Sequence, residues 1–99
     1  SCYMAEYVTQ HIGDCYDGII SGVTQRGVFV ELPNSVEGFV SVESFEGAKF
    51  RFDGMITQID ENTGRKLTIG QPLSIRVAAA DVASGRIDFV PDNGAKEQQ

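Results

Sequence analysis

The stretch Ile19-Ile-Ser-Gly-Val-Thr-Gln-Arg-Gly-Val-Phe-Val-Glu-Leu32, followed after a short turn by Val36-Glu-Gly-Phe-Val-Ser-Val-Glu-Ser44, decides how this chain folds. It reads as two strands turning through Gly27 and a third strand entered at Glu37 and Gly38. The middle strand alternates: Val28, Val30 and Leu32 point one way, Phe29 and Glu31 the other. The three aliphatic residues mark the face turned to a core. An aromatic ring on the opposite, polar face adds little to that core but is well placed to stack on a flat ligand such as a nucleobase.

Working outward, residues 15–23 form a first strand, with Tyr16, Gly18 and Ile20 on one face and Asp17, Ile19 and Ser21 on the other. Gly18 and Gly22 suit a strand that coils or is closely approached by another backbone. Pro33-Asn34-Ser35 is a turn, and residues 43–47 read as a single helical turn. Phe50-Arg51-Phe52-Asp53-Gly54 then leads into an inserted hairpin of residues 55–59 and 66–69, with Asn62-Thr63-Gly64 as its turn signal. Residues 73–80 form a long strand with Leu73, Ile75 and Val77 inward. Residues 86–90 form the last, with Ile87 and Phe89 inward. At the start, Met4, Val8 and Ile12 recur at helical spacing and predict a short helical lead-in ended by Gly13 and Asp14. The sum is all-β: five principal strands plus a hairpin, closing into a small barrel that leaves no sheet edge exposed. Residues 1–12 are read as a helical linker or cloning residues, 13–90 as the domain, and 91–99 as a flexible tail.

Composition agrees with one small globular domain: 99 residues, 41% apolar and 22% charged. No apolar run reaches the length of a membrane-spanning helix. The net charge of −6 runs against a uniformly basic nucleic-acid binder, so any such role must rest on one locally basic face. Cys2 and Cys15 read as unrelated thiols of a cytosolic protein rather than a disulfide. His11, the only histidine, leaves a zinc site without ligands. Asp14, Asp17, Glu31, Glu37, Glu43 and Glu46 are dispersed, without the fixed spacing of a metal-binding or acid–base pair. Asp60-Glu61-Asn62 lacks the ligand series of a calcium loop. Neither a nucleophile elbow nor a phosphate loop is present. The chain is therefore expected to bind rather than to catalyse, and to carry no cofactor.

The segments Gly18-Ile-Ile-Ser-Gly-Val-Thr, Arg26-Gly-Val-Phe-Val-Glu-Leu and Val36-Glu-Gly-Phe-Val-Ser-Val resemble an S1 RNA-binding domain, a five-stranded OB-fold barrel. The inserted hairpin with Thr63-Gly-Arg, the run Ile69-Gly-Gln-Pro-Leu-Ser-Ile-Arg-Val and the closing Arg86-Ile-Asp-Phe resemble the C-terminal S1 domain of bacterial ribonuclease R, over roughly residues 4–90. The resemblance implies a bacterial, cytoplasmic setting and a parent enzyme that degrades RNA from the 3′ end. In that family magnesium is held by aspartates of a separate catalytic domain, absent from this chain. The S1 module itself implies binding of single-stranded RNA and its delivery to that domain, with the isolated module a monomer.

The resemblance also assigns candidate RNA-binding residues. Phe29 falls on a platform aromatic of the family's Phe-Gly-x-Phe pattern and is expected to stack a base. The first platform aromatic falls on Arg26, whose guanidinium plane can stack or pair with phosphate. The platform histidine falls on Ser41, which retains only a hydrogen bond. Phe39 shares the parity of Ser41; it either compensates or, the favoured reading, tucks under the hairpin. Phe50 and Phe52 flank Arg51 at strand spacing. Phe50 and Arg51 are kept as strand-tracking candidates, with one of the two rings in the core. Arg76 and Arg86 face outward and are read, with Arg26, as a basic track for phosphates, so binding should weaken steeply with salt. Arg65 and Lys66 are read as a solvated turn. Two rival readings remain: a protein-docking barrel, and an S1 domain from another RNA-processing or translation protein.

Overall fold

Alternating aliphatic side chains turn the first three strands into one wall of a barrel, and two long C-terminal strands supply the other. The computed structural model describes residues 8–92. Among them the order is β1 (Cys15–Val23), β2 (Gly27–Glu31), β3 (Glu37–Ser41), a 3-10 turn (Val42–Ser44), β4 (Phe50–Phe52), β5 (Thr57–Asp60), β6 (Lys66–Thr68), β7 (Pro72–Asp81) and β8 (Arg86–Pro91). Five strands close in the order β1-β2-β3-β8-β7, and β7 returns to pair with β1. All neighbours run antiparallel except β3 and β8, which are parallel through Phe39↔Asp88 and Val40↔Phe89. This is the five-stranded barrel expected from the sequence.

Closure needs bent strands, and two bulges supply the bends. On β1 the register passes from Ile20↔Val30 to Gly22↔Phe29, leaving Ser21 unpaired. On β7 it passes from Val77↔Phe89 to Ala79↔Asp88, leaving Ala78 unpaired. The barrel interior holds Ile20, Val28, Val30, Val40, Ile75, Val77 and Phe89, each at most 2% exposed. Gly38 makes room for the largest of these, since a Cβ there would come within 2.6 Å of the Phe89 ring.

The inserted hairpin gains a third strand. β4 pairs with β5 (Phe50↔Asp60, Arg51↔Ile59, Phe52↔Gln58), giving a separate sheet of order β4-β5-β6. Asp60, only 4% exposed, organises its corner. Its carboxylate accepts the Lys49 N–H (3.0 Å), the Asn62 N–H (2.9 Å) and the Thr63 hydroxyl (2.8 Å). The Lys49 and Asn62 amides lower its pKa, outweighing the opposing effect of burial. β5 starts at Thr57 rather than Met55 because Asp53 Oδ1 accepts the N–H groups of Met55, Ile56 and Thr57 at 2.7, 3.1 and 3.2 Å. That bends the preceding residues out of the ladder. Arg65 is not simply solvated: its guanidinium lies 5.4 Å from the centre of the Phe45 ring, a cation–π contact.

The lead-in is only partly visible. Val8 and Thr9 are helical, and Val8 enters the core at 4% exposure. The expected stripe does not continue, for Ile12 is 51% exposed beyond the end of the helical residues. Instead the Gly13 N–H donates to Val77 O (2.8 Å) and the Val77 N–H to Asp14 O (2.9 Å), tying the entry to β7. The predicted helical residues 4–7, Cys2 and residues 93–99 of the tail lie outside the described residues. Pro91 ends β8 as a buried residue opposite Ile75. The helical turn after β3 sits at Val42–Ser44, capped by the Ser41 hydroxyl, which accepts the Glu43 N–H.

Candidate nucleic-acid interface

The β2–β3 ladder sets Phe29 directly opposite Phe39. Parity places both rings on the outer face of the barrel, where they meet edge-on, 5.1 Å between centroids and 62° between planes. Such cross-strand aromatic pairs hold each other's orientation. Phe29 keeps 38% of its surface exposed, and Phe39 is half-buried beside it. Phe39 therefore does not tuck under the hairpin as expected; the cross-strand register delivers it to the Phe29 platform. Gly27 makes this possible. A Cβ at that position would lie 2.1 Å from Val40 O and 2.8 Å from Phe39 Cζ, so the ring crosses the start of β2 only over a glycine.

Arg26 sits one residue before Gly27 in the β1–β2 turn. Its N–H donates to the Thr24 hydroxyl oxygen (3.2 Å), and its carbonyl accepts the Val42 N–H (3.0 Å). Arg86 enters from the other side as the first residue of β8. Its Nε pairs with Asp88 Oδ1 at 3.0 Å, an exposed ion pair of the kind that contributes about 0–1 kcal/mol. Between these arginines and the two rings runs a groove of about 660 Å³. A continuation of about 370 Å³ shares Arg26, Phe39 and Arg86 and reaches Ser41. The Ser41 hydroxyl oxygen already caps the following turn, leaving its hydrogen to donate.

Five sequence-predicted residues thus come together: Phe29, Phe39, Arg26, Ser41 and Arg86. Three do not. Phe50 packs edge-on against Phe45 (5.1 Å, 71°) on the other sheet. Arg51 is held by Glu61 at 3.0 Å. Arg76 pairs in register with Val90, whereas Arg86 pairs with Asp81. These are five positions apart along β7, about 16 Å at the usual strand rise. The basic track therefore reduces to Arg26 and Arg86, one of them paired with an acid, and the steep salt dependence expected from three arginines softens.

The groove also contains a residue that sequence reasoning left among the dispersed acids. Glu37 lines it and accepts a hydrogen bond from the Ser21 hydroxyl at 2.6 Å. The signal was present, since Glu37 shares the parity of Phe39 and Ser41. The face is thus aromatic at its centre, cationic along the Arg26 side and acidic at the Glu37 end. Among the described residues no three histidine, cysteine, aspartate or glutamate side chains come together as a metal-binding cluster.

Comparison with known proteins identifies the family. The family described as S1 RNA binding domain matches residues 9–90. Ribonuclease R 1 of Lactococcus lactis is 42% identical over 86 residues, spanning 86% of this chain and 10% of that protein. Ribonuclease R of Escherichia coli is 30% identical over 86 residues, spanning 85% of this chain and 11% of its own length. The chain thus covers about a tenth of these curated relatives. Among solved structures, the apo form of Mycoplasma genitalium RNase R superposes with a TM-score of 0.85 at 20% identity, covering 92% of this chain and 14% of that one. The same enzyme in complex with ribose-methylated single-stranded RNA gives 0.84 at 21% identity, with 92% and 15% covered. Barrel order, inserted sheet and family match agree: this chain belongs to the S1 RNA-binding domain family and is similar to the S1 regions of ribonuclease R proteins.

Proposed function

We propose that this chain binds single-stranded RNA along the groove between the β1–β2 turn, β3 and β8. The observation that carries the reading is the exposed Phe29 ring, braced edge-on by Phe39, with Arg26 and Arg86 lining the same groove. Phe29 stacks a base, an interaction worth about 1–3 kcal/mol and tolerant of base identity. Arg26 stacks on or pairs with the backbone, Arg86 meets phosphate, and the Ser41 hydroxyl donates a hydrogen bond. Support comes also from the Mycoplasma genitalium RNase R solved with single-stranded RNA.

The wider role is part of the same proposal. Within a bacterial, cytoplasmic parent resembling ribonuclease R, the module would hold a strand and deliver its 3′ end to a separate magnesium-dependent catalytic domain. The module acts by binding, not by bond cleavage.

Fluorescence anisotropy of a labelled single-stranded RNA decamer tests the reading, with the native chain and Phe29→Ala at low and at physiological salt. The expected result is a dissociation constant at least about fivefold weaker for the variant, the lower bound of one lost stack. With only two cations in the groove, log K should fall with log salt at a slope no steeper than about −1.4. Equal binding by the two proteins, or none at low salt, would overturn it. Glu37 and Asp88 would then favour a protein partner.

A further inference from the structure

The turn that carries Arg26 does not satisfy its own backbone. Within Thr24-Gln25-Arg26-Gly27, the Thr24 N–H donates to Gly27 O (2.8 Å). The N–H groups of Arg26 and Gly27 both donate to the Thr24 hydroxyl oxygen (3.2 Å each). Two carbonyls, those of Thr24 and Gln25, take their donors from outside the turn. Both donors come from one side chain more than thirty residues along the sequence. Gln58 Nε2 donates to Thr24 O at 2.7 Å and to Gln25 O at 3.1 Å. Two acceptors on one nitrogen use both hydrogens of the amide, a role that neither a carboxylate nor an apolar side chain of the same length can fill.

Gln58 is 1% exposed, an unusual setting for glutamine, and lies on β5 opposite Leu67 of β6 and Phe52 of β4. The middle strand of the inserted sheet thus spends a fully buried side chain on the turn that presents Arg26. The other side of the same residue is fixed as well, because Arg26 O accepts the Val42 N–H.

We infer that Gln58 is a positioning residue for RNA binding: the inserted β4-β5-β6 sheet acts as a buttress that holds the β1–β2 turn so that Arg26 lies along the groove. This inference rests on the proposed RNA-binding groove. It assigns the insertion a purpose that its own surface does not suggest, since it keeps Phe50 and Arg51 out of the groove.

The test is a double-mutant cycle on the full 99-residue chain. A labelled single-stranded RNA decamer is titrated across a salt series against the native protein, Arg26→Ala, Gln58→Met, the double variant, and Leu67→Ala as a control for instability of the same sheet. Gln58→Met keeps the length and removes both donors. It should weaken binding by about as much as Arg26→Ala and flatten the salt slope by about 0.7, the share of one phosphate on a single strand. The double variant should bind no worse than either single one. Leu67→Ala should lower the thermal midpoint while leaving the salt slope unchanged.

Multiplicative losses in the double variant, or a Gln58→Met protein with native affinity beside a weakened Arg26→Ala, would overturn the inference and leave the groove standing. Native affinity in both Arg26→Ala and Phe29→Ala would instead remove the groove reading, and this inference with it. If Gln58→Met does not fold, backbone NMR order parameters of the native chain decide. Values near about 0.85 at Gln25 and Arg26 are expected of a pinned turn, and values below about 0.6 would overturn the inference.

Discussion

Replacing Gly27 by alanine is expected to force the β2–β3 ladder apart at the point where the aromatic platform is built. The added Cβ would lie 2.1 Å from the Val40 carbonyl oxygen, 2.8 Å from Phe39 Cζ and 3.0 Å from Ser41 Cα. Non-bonded heavy atoms settle near about 3.5–4 Å, so the strands must part by more than about 1 Å. The obstacle is backbone, not a side chain that can swing away. Overpacking of this kind typically costs about 1–3 kcal/mol, and a weakened ladder hydrogen bond adds about 1. The expected loss is therefore about 2–4 kcal/mol, a large part of the roughly 5–15 kcal/mol that stabilises a small domain. Gly22, across the same hairpin, supplies the control. A Cβ there meets only Phe29 Cδ2 at 3.5 Å and Phe29 Cβ at 3.8 Å, ordinary contacts. Gly22→Ala should change stability by less than about 1 kcal/mol, in the stabilising direction, because alanine loses less backbone freedom on folding. Urea unfolding of both variants measures the difference directly, with an unchanged m-value as the check on two-state behaviour. Equal stabilities for the two variants would refute the close approach of β2 and β3 at Gly27.

Other consequences follow from the same geometry. Asp60 is held ionised by the Lys49 and Asn62 amides, so its pKa lies below the ordinary value of 3.8. The stabilisation is complete above 3.8 and disappears as pH falls through the lowered folded value. Asp60→Asn should accordingly be less stable than the native chain at pH 6 in urea unfolding, with the gap narrowing at pH 3. Arg51→Ala breaks an exposed pair with Glu61 and should alter stability by less than about 1 kcal/mol while leaving RNA affinity unchanged in an anisotropy titration. Arg76→Ala should retain the native salt slope for RNA, whereas Arg26→Ala should flatten it by about 0.7, one phosphate's share.

The barrel was legible because alternation fixes a strand's faces. Val28, Val30, Ile75 and Val77 read as inward from period two alone, and all are buried. The same parity put Phe29 outside. Register was harder to read. That Phe39 meets Phe29 depends on the pairing of β2 with β3 and on the bare Cα of Gly27, neither of which periodicity reveals. Arg76 and Arg86 read as facing outward and both are exposed, yet antiparallel pairing puts them at opposite ends of the β7–β8 ladder. The inserted sheet was least legible, because it inverts the usual pattern: β5 buries Gln58 and Asp60 and leaves Thr57 and Ile59 half-exposed. Those two polar residues face backbone groups, the Thr24 and Gln25 carbonyls and the Lys49 and Asn62 amides, and backbone partners leave no trace in side-chain periodicity.

The central claim is that RNA lies across the Phe29 face, and amide NMR shifts of the labelled chain during titration with a single-stranded RNA decamer test it most directly. The account predicts that the resonances to move are those of Arg26, Phe29, Phe39, Ser41 and Arg86, while Arg51 and Arg76 stay in place. Shifts centred on Arg51, Arg76 or the β4-β5-β6 sheet, with the Phe29 face unmoved, would contradict it.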